Sequence, residues 1–222
     1  MKHKVGKLII TAFFALLLLS VFAGCKKPKP VVIDLSELNV EWYDENAAEF
    51  SITTKEQLYD MAKLSYFYDF FGQTFYLEND IVFNEGNAAD WKDDIPEYGW
   101  ESIYGFAGTF DGQGHTISGL YSRGELYFAN IERVEGLNHI TSALFRDTDP
   151  ECVIKDLRLE NCYFESDLDN GAASISSNGG GTFENIYSNA IIRSQKSRVG
   201  GIIGTISDDC TITNCWFDGR ID

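Results

Sequence analysis

Three stretches of the chain superimpose at a fixed offset of 29 residues. The first joins Ser142-Ala143-Leu144-Phe145 to Ile154-Lys155-Asp156-Leu157-Arg158-Leu159. The second joins Gly171-Ala172-Ala173-Ser174 to Phe183-Glu184-Asn185-Ile186-Tyr187-Ser188. The third joins Gly200-Gly201-Ile202-Ile203 to Ile212-Thr213-Asn214-Cys215-Trp216-Phe217. Asp156, Asn185 and Asn214 share one column, and Leu157, Ile186 and Cys215 share the next. A period of this length means that similar units stack, each covering its neighbour's apolar face. Each unit holds three short apolar–polar stretches separated by Gly, Asn, Asp or Ser. Leucine-rich and helical repeats do not fit that composition. It predicts an all-β, right-handed parallel β-helix, with the Asp/Asn column at a corner. There the side chains can bond the backbone and stack amide on amide between units.

An earlier, less regular copy begins at Phe106. Aligning Ile117 with Ile154 sets His115 opposite Cys152 and Tyr121 opposite Arg158, at a gap of 37 residues, and gives about four coils. The extra residues fall in a loop within 123–140. Residues 101–222 are therefore read as the repeats. Residues 49–100 are read as an N-terminal cap: a strand at Phe50-Ser51-Ile52, then a helix over 54–65. Thr53 or Thr54 caps this helix, with Glu56 or Gln57 three residues on, and Leu58, Met61, Ala62 and Leu64 mark its apolar face. Strands at 74–77 and 81–83 follow, then an acidic, irregular segment over 84–100 that Trp91 and Trp100 anchor. No comparable cap is expected after Trp216. An exposed last coil, a partner packed on it, or a shortened version of a longer repeat protein would each account for that.

The chain opens with Lys2, Lys4 and Lys7, an apolar run from Leu8 to Phe22, and Ala23-Gly24-Cys25. That is the pattern of a secretory signal over 1–24 with a small-residue cleavage site. Cysteine directly after Ala-Gly resembles the bacterial lipobox, with Phe22 in place of the usual Leu or Val. The resemblance implies a diacylglyceryl group on Cys25, so that membrane lipid is a partner through this residue. A plain signal peptide with a chance cysteine, or an uncleaved anchor, are the alternatives. Residues 25–48 read as a tether, stiffened at its start by Pro28 and Pro30 among Lys26, Lys27 and Lys29.

Without residues 1–24 the chain carries 15 basic and 34 acidic residues, a net charge of −19. Such a surface repels nucleic acid and anionic lipid. Cys152, Cys162, Cys210 and Cys215 could form two disulfides in an exported protein. The register argues for free, buried thiols instead. Cys152 and Cys210 sit two coils apart, about 9–10 Å at strand spacing, beyond the reach of a bridge.

The segment Tyr104-Gly105-Phe106-Ala107-Gly108-Thr109-Phe110-Asp111-Gly112-Gln113-Gly114-His115-Thr116-Ile117-Ser118-Gly119-Leu120 resembles one that opens β-helical regions in many bacterial surface proteins. Val199-Gly200-Gly201-Ile202-Ile203-Gly204, with Ile212-Thr213-Asn214-Cys215 and Gly219-Arg220-Ile221, is similar to the GLUG repeat. The resemblance covers about residues 50–222. It implies an adhesin-like surface protein, and such repeats also occur in the non-catalytic part of some secreted peptidases.

Few residues suggest chemistry. Asp111-Gly112-Gln113-Gly114-His115 could be an acid/base or metal pair, but Asp-Gly and Gln-Gly read better as a tight turn. Asp208-Asp209 could be a carboxylate pair for glycoside hydrolysis, yet its companion motifs are missing, and it reads better as a solvated loop between strands. Asp147, Asp149, Asp167, Asp169 and Asp208 are placed in loops where weak calcium binding is conceivable, without any calcium-binding repeat. No catalytic residue, metal ligand or cofactor is assigned.

One column stands out. With Leu157, Ile186 and Cys215 inward, Tyr121, Arg158, Tyr187 and Trp216 point outward, about 4.8 Å apart. Such a flat strip suits sugar rings or a protein partner. A ladder that merely stacks on itself is the alternative. The function expected is therefore a lipid-anchored, extracytoplasmic bacterial protein that binds glycans or surface proteins without catalysis. The plasma membrane of a Gram-positive cell is favoured over an outer membrane, because Lys26-Lys27 lacks an acidic surface-export signal. A polysaccharide lyase or hydrolase on a short β-helix, and a structural spacer or remnant, are the competing readings.

Overall fold

A computed structural model describes residues 40–123, 142–166, 171–195 and 198–222. The protein is built mostly of strands with one helix. The strands are β1 (Glu49–Ile52), β2 (Thr74–Leu77), β3 (Ile81–Val82), β4 (Thr109–Asp111), β5 (Thr116–Ser118), β6 (Tyr121–Arg123), β7 (Phe145–Thr148), β8 (Val153–Glu160), β9 (Tyr163–Glu165), β10 (Ser176–Ser188), β11 (Ile191–Arg193), β12 (Ile203–Thr213), β13 (Trp216–Phe217) and β14 (Arg220–Ile221). The pairings among them are parallel. One sheet runs β1-β2-β4-β8-β10-β12, with β3, β5, β7 and β13 attached, and curls into a half-barrel; a second runs β14-β11-β9-β6.

The single helix, α1 (Lys55–Leu64), starts at Thr54 in a full capping box. The Thr54 hydroxyl accepts from the Gln57 amide while the Gln57 side chain reaches back to the Thr54 amide. Two otherwise orphaned donors are satisfied this way. Leu58, Met61, Ala62 and Leu64 are buried in the core, as their helical spacing requires.

The core is a set of columns running from unit to unit. Phe50, Phe75, Phe110, Ile154, Phe183 and Ile212 form one, each on the next strand of the main sheet. Phe50 and Phe75 stack at 5.0 Å and 18°. Every member is buried until Ile212, which is 45% exposed on the last strand. Burying one such side chain contributes about 1.5–3 kcal/mol, so the interior positions hold the stack together and β12 contributes less.

The polar corner forms as the sequence suggests. Asp156, Asn185 and Asn214 adopt left-handed φ values of 51°, 54° and 51°, the conformation that Asn and Asp tolerate best. Their side chains bond in series: Asn185 Nδ2 donates to Asp156 at 2.8 Å and Asn214 Nδ2 donates to Asn185 at 2.7 Å. This bend lets β8, β10 and β12 turn at the same level in each unit.

Several expectations need correction. Ile117 pairs with Leu159 and Phe110 with Ile154, so the earliest copy is spaced further than 37 residues from the next. Gly112-Gln113-Gly114-His115 makes a longer corner than the later units have, which displaced that alignment. A 29-residue offset would set Cys162 opposite Ile191, but Tyr163 pairs with Ile191, so Cys162 lies opposite Ala190. The strands are also longer than short stretches: β10 spans 13 residues, with a bulge at Gly179–Gly181. Asp208-Asp209 lies within β12, not in a loop, and Asp147 lies in β7. Residues 40–48, expected in the tether, join the fold. The Tyr43 ring stacks on Phe50 at 5.0 Å, and Trp42 Nε1 donates to Asp60. The rest of the tether, the signal segment with Cys25, and Asp167 and Asp169 lie outside the described residues.

Candidate functional site

On the outer surface, beside the polar corner, lies a groove of about 780 Å3. Its floor is the ladder of Asp156, Asn185 and Asn214, extended at one end by Asp111, Gln113 and Gly114. Its wall is the column Arg158, Tyr187 and Trp216. The pairings Arg158–Tyr187 and Tyr187–Trp216 place those three on successive strands, because Leu157, Ile186 and Cys215 point inward one position earlier.

Tyr121 does not belong to this column. It pairs with Tyr163 in the second sheet, is fully buried, and stacks on the Tyr163 ring at 5.5 Å with Trp91 against its edge. The position on the Arg158 rung belongs to Thr116. Burial raises the Tyr121 phenol pKa above its ordinary value. Tyr121 therefore holds the acidic 84–100 segment to the body and touches no ligand surface.

Within the wall the three side chains differ. The Arg158 guanidinium lies 4.4 Å from the centre of the Tyr187 ring, and Glu160 Oε1 holds it at 2.5 Å and 3.0 Å. One face of Tyr187 is thus already occupied, so this part of the ladder does stack on itself. Trp216 is 67% exposed, more than any other large apolar side chain among the described residues.

The groove's charges are compensated locally. Lys155 Nζ lies 2.9 Å from Asp111 and 3.8 Å from Asp156. The hydrogen bond that the ammonium donates to Asp111 raises the Lys155 pKa above its ordinary value. Two carboxylates and a lysine therefore meet here, with Arg158 lining the same groove. The first unit's misalignment hid it. Setting Phe110 opposite Ile154 brings Asp111 opposite Lys155, and the alternation Thr-Phe-Asp against Val-Ile-Lys is the signal that could have shown this.

The other singled-out residues take no part in this charge cluster. Gln113 and Gly114 take φ values of 50° and 81°, the tight turn expected of that string. His115 bonds Asp80 at 3.2 Å on the surface and is not in the Cys152 column; Gly181 lies there, with Cys210 beyond it. The four cysteines are free, and burial pushes the Cys152 and Cys162 thiols up to about 12. Asp147 pairs with Arg146, and Asp149 accepts from the Glu151 amide in its turn. Among the described residues no three His, Cys, Asp or Glu side chains gather to hold a metal ion, and no helix is long and apolar enough to cross a membrane.

Compared with protein-family models, with curated proteins and with solved structures, the chain matches none.

Proposed function

We propose that this is a surface binding protein: a right-handed parallel β-helix of about four coils, held to a bacterial membrane by lipid on Cys25, that recognises a glycan or a surface protein without chemical turnover. The observation that carries the reading is the outer groove. It joins a ladder of amide and carboxylate groups to an exposed tryptophan on consecutive strands. Flat apolar rings beside aligned donors and acceptors are what polar ring-shaped or extended ligands require. The lipobox-like Ala23-Gly24-Cys25 and the GLUG-like repeats support the anchored, adhesin-like setting.

The convergence of Asp111, Asp156, Lys155 and Arg158 favours a second reading, cleavage of a polysaccharide in the same groove. Each of these side chains already has an ionic partner within the protein, Lys155 with Asp111 and Asp156 and Arg158 with Glu160, which weighs toward binding.

Affinity electrophoresis through a panel of neutral and acidic polysaccharides tests both, with each lane assayed for new reducing ends or unsaturated products. Retardation lost in Tyr187→Ala and Trp216→Ala, without product, supports the binding reading. Product that disappears in Asp111→Asn would replace it with the enzymatic one. Retardation unchanged in both aromatic variants would sink the assignment of this face.

A further inference from the structure

Resting on the reading of the groove as a binding surface, we propose that its ligand is an uncharged linear polysaccharide of pyranose rings. The ligand runs along the stack, across the strands, with one ring packed on Trp216. Three features of the site select this ligand.

The first is length. The floor offers four levels, at Gln113, Asp156, Asn185 and Asn214, at the corners of successive units. At strand spacing that is roughly 14 Å, open along the surface. An extended chain of pyranose rings advances by nearly one strand spacing per ring, so about three to four rings fill it, each beside a polar side chain.

The second is hydrogen-bonding chemistry. Each ladder amide uses one N–H for its neighbour. A primary amide has two N–H donors and an oxygen with two lone pairs, so Asn185 and Asn214 keep one donor and spare acceptor capacity. A sugar hydroxyl both gives and takes a hydrogen bond, and vicinal hydroxyls match a row of such amides.

The third is charge. The whole chain carries a net −16; Lys155 pairs with both Asp111 and Asp156, which leaves that trio with one negative charge, and Glu160 neutralises Arg158. Among the described residues lining the groove no cation is left over to attract a uronic acid, and an acidic surface repels one. Trp216 is the platform, because the Tyr187 face toward Arg158 is taken. Pyranose rings present an apolar C–H face that packs on an aromatic ring much as other apolar groups do.

The test titrates the full chain in detergent with neutral glucan, mannan and xylan oligosaccharides of two to six rings, and with polygalacturonate fragments of the same lengths. Trp91 and Trp100 are buried and Trp42 is half-buried, packed edge-on against Phe50, so the part of the emission change that disappears in Trp216→Ala reports on Trp216. One neutral series should bind with affinity that climbs up to about four rings and then levels off. It should protect Trp216 from acrylamide quenching and weaken at least tenfold in Trp216→Ala. Trp216-dependent binding of the acidic fragments, or affinity indifferent to length, would overturn the ligand class while leaving the groove as the binding surface. A protein captured through Trp216 with no saccharide bound would do the same. Ligand binding that is unmoved in both Trp216→Ala and Tyr187→Ala would overturn the groove reading itself.

Discussion

Replacing Asn185 isolates what the polar corner contributes. Asn185 sits at the middle of the ladder, exposed, with φ at 54°, giving one side-chain bond to Asp156 and receiving one from Asn214. Alanine removes both bonds and forces a residue with a Cβ and no local hydrogen bond into the left-handed region. Left-handed backbone costs an L-residue about 1–2 kcal/mol, and two solvated hydrogen bonds are worth about 1 kcal/mol together. Asn185→Ala should therefore lose about 2–3 kcal/mol. Asn185→Gly loses the same bonds but no backbone strain, and its extra freedom in the unfolded chain costs about 0.4–1 kcal/mol. Its loss should be smaller, about 1–2 kcal/mol. Urea unfolding of both variants at unchanged m-value measures the difference. An alanine variant as stable as the glycine variant would refute the reasoning, because it would mean that the left-handed corner is not where the repeat stores its conformational demand.

Tyr121→Ala should destabilise the protein by about 3–5 kcal/mol through the cavity it leaves, lowering the urea midpoint; a change below about 1 kcal/mol would contradict its burial. Cys152 and Cys162 should stay unlabelled by a maleimide at pH 8 in the folded protein and react on unfolding, since burial lifts both thiols to about 12; peptide mass mapping reads this out. The Thr116 amide, and then His115, lower the Asp80 carboxyl below its ordinary 3.8. A lowered folded pKa stabilises above the unfolded value and the benefit is lost as pH falls through the folded one. Asp80→Asn should accordingly flatten the decline in stability measured below about pH 4.

How legible this was depended on whether the spacing ran uninterrupted. Units two to four of the main sheet share a constant offset at their inward positions. The columns Asp156–Asn185–Asn214 and Arg158–Tyr187–Trp216 are therefore legible in the sequence itself. The capping box at Thr54 and Gln57 was equally local, four residues long and chemically distinctive. The first unit was not legible, because its Gly112–His115 corner is longer and its similarity to later units rests on single apolar positions. Matching Leu120-Tyr121 to Leu157-Arg158 looked natural and placed Tyr121 on the wrong sheet. The pairing Tyr121–Tyr163, with Arg123 opposite Glu165, carried a weaker signal that ends in the ion pair between those two. The packing of Trp42 and Tyr43 was missed because two aromatics after an acidic, aperiodic stretch set no period. Compensation of Asp111 by Lys155 depends on register alone, so it could not appear until Phe110 stood opposite Ile154.

The most direct measurement of the central claim is a nuclear magnetic resonance titration of the side-chain amides and indoles with the polysaccharide fragment that the panel selects. The Trp216 indole and the Asn185 and Asn214 amides should shift together and saturate at one common affinity, while the Trp91 and Trp100 indoles stay in place. Shifts that leave Trp216, Asn185 and Asn214 untouched and gather elsewhere would contradict the assignment of the groove as the binding surface.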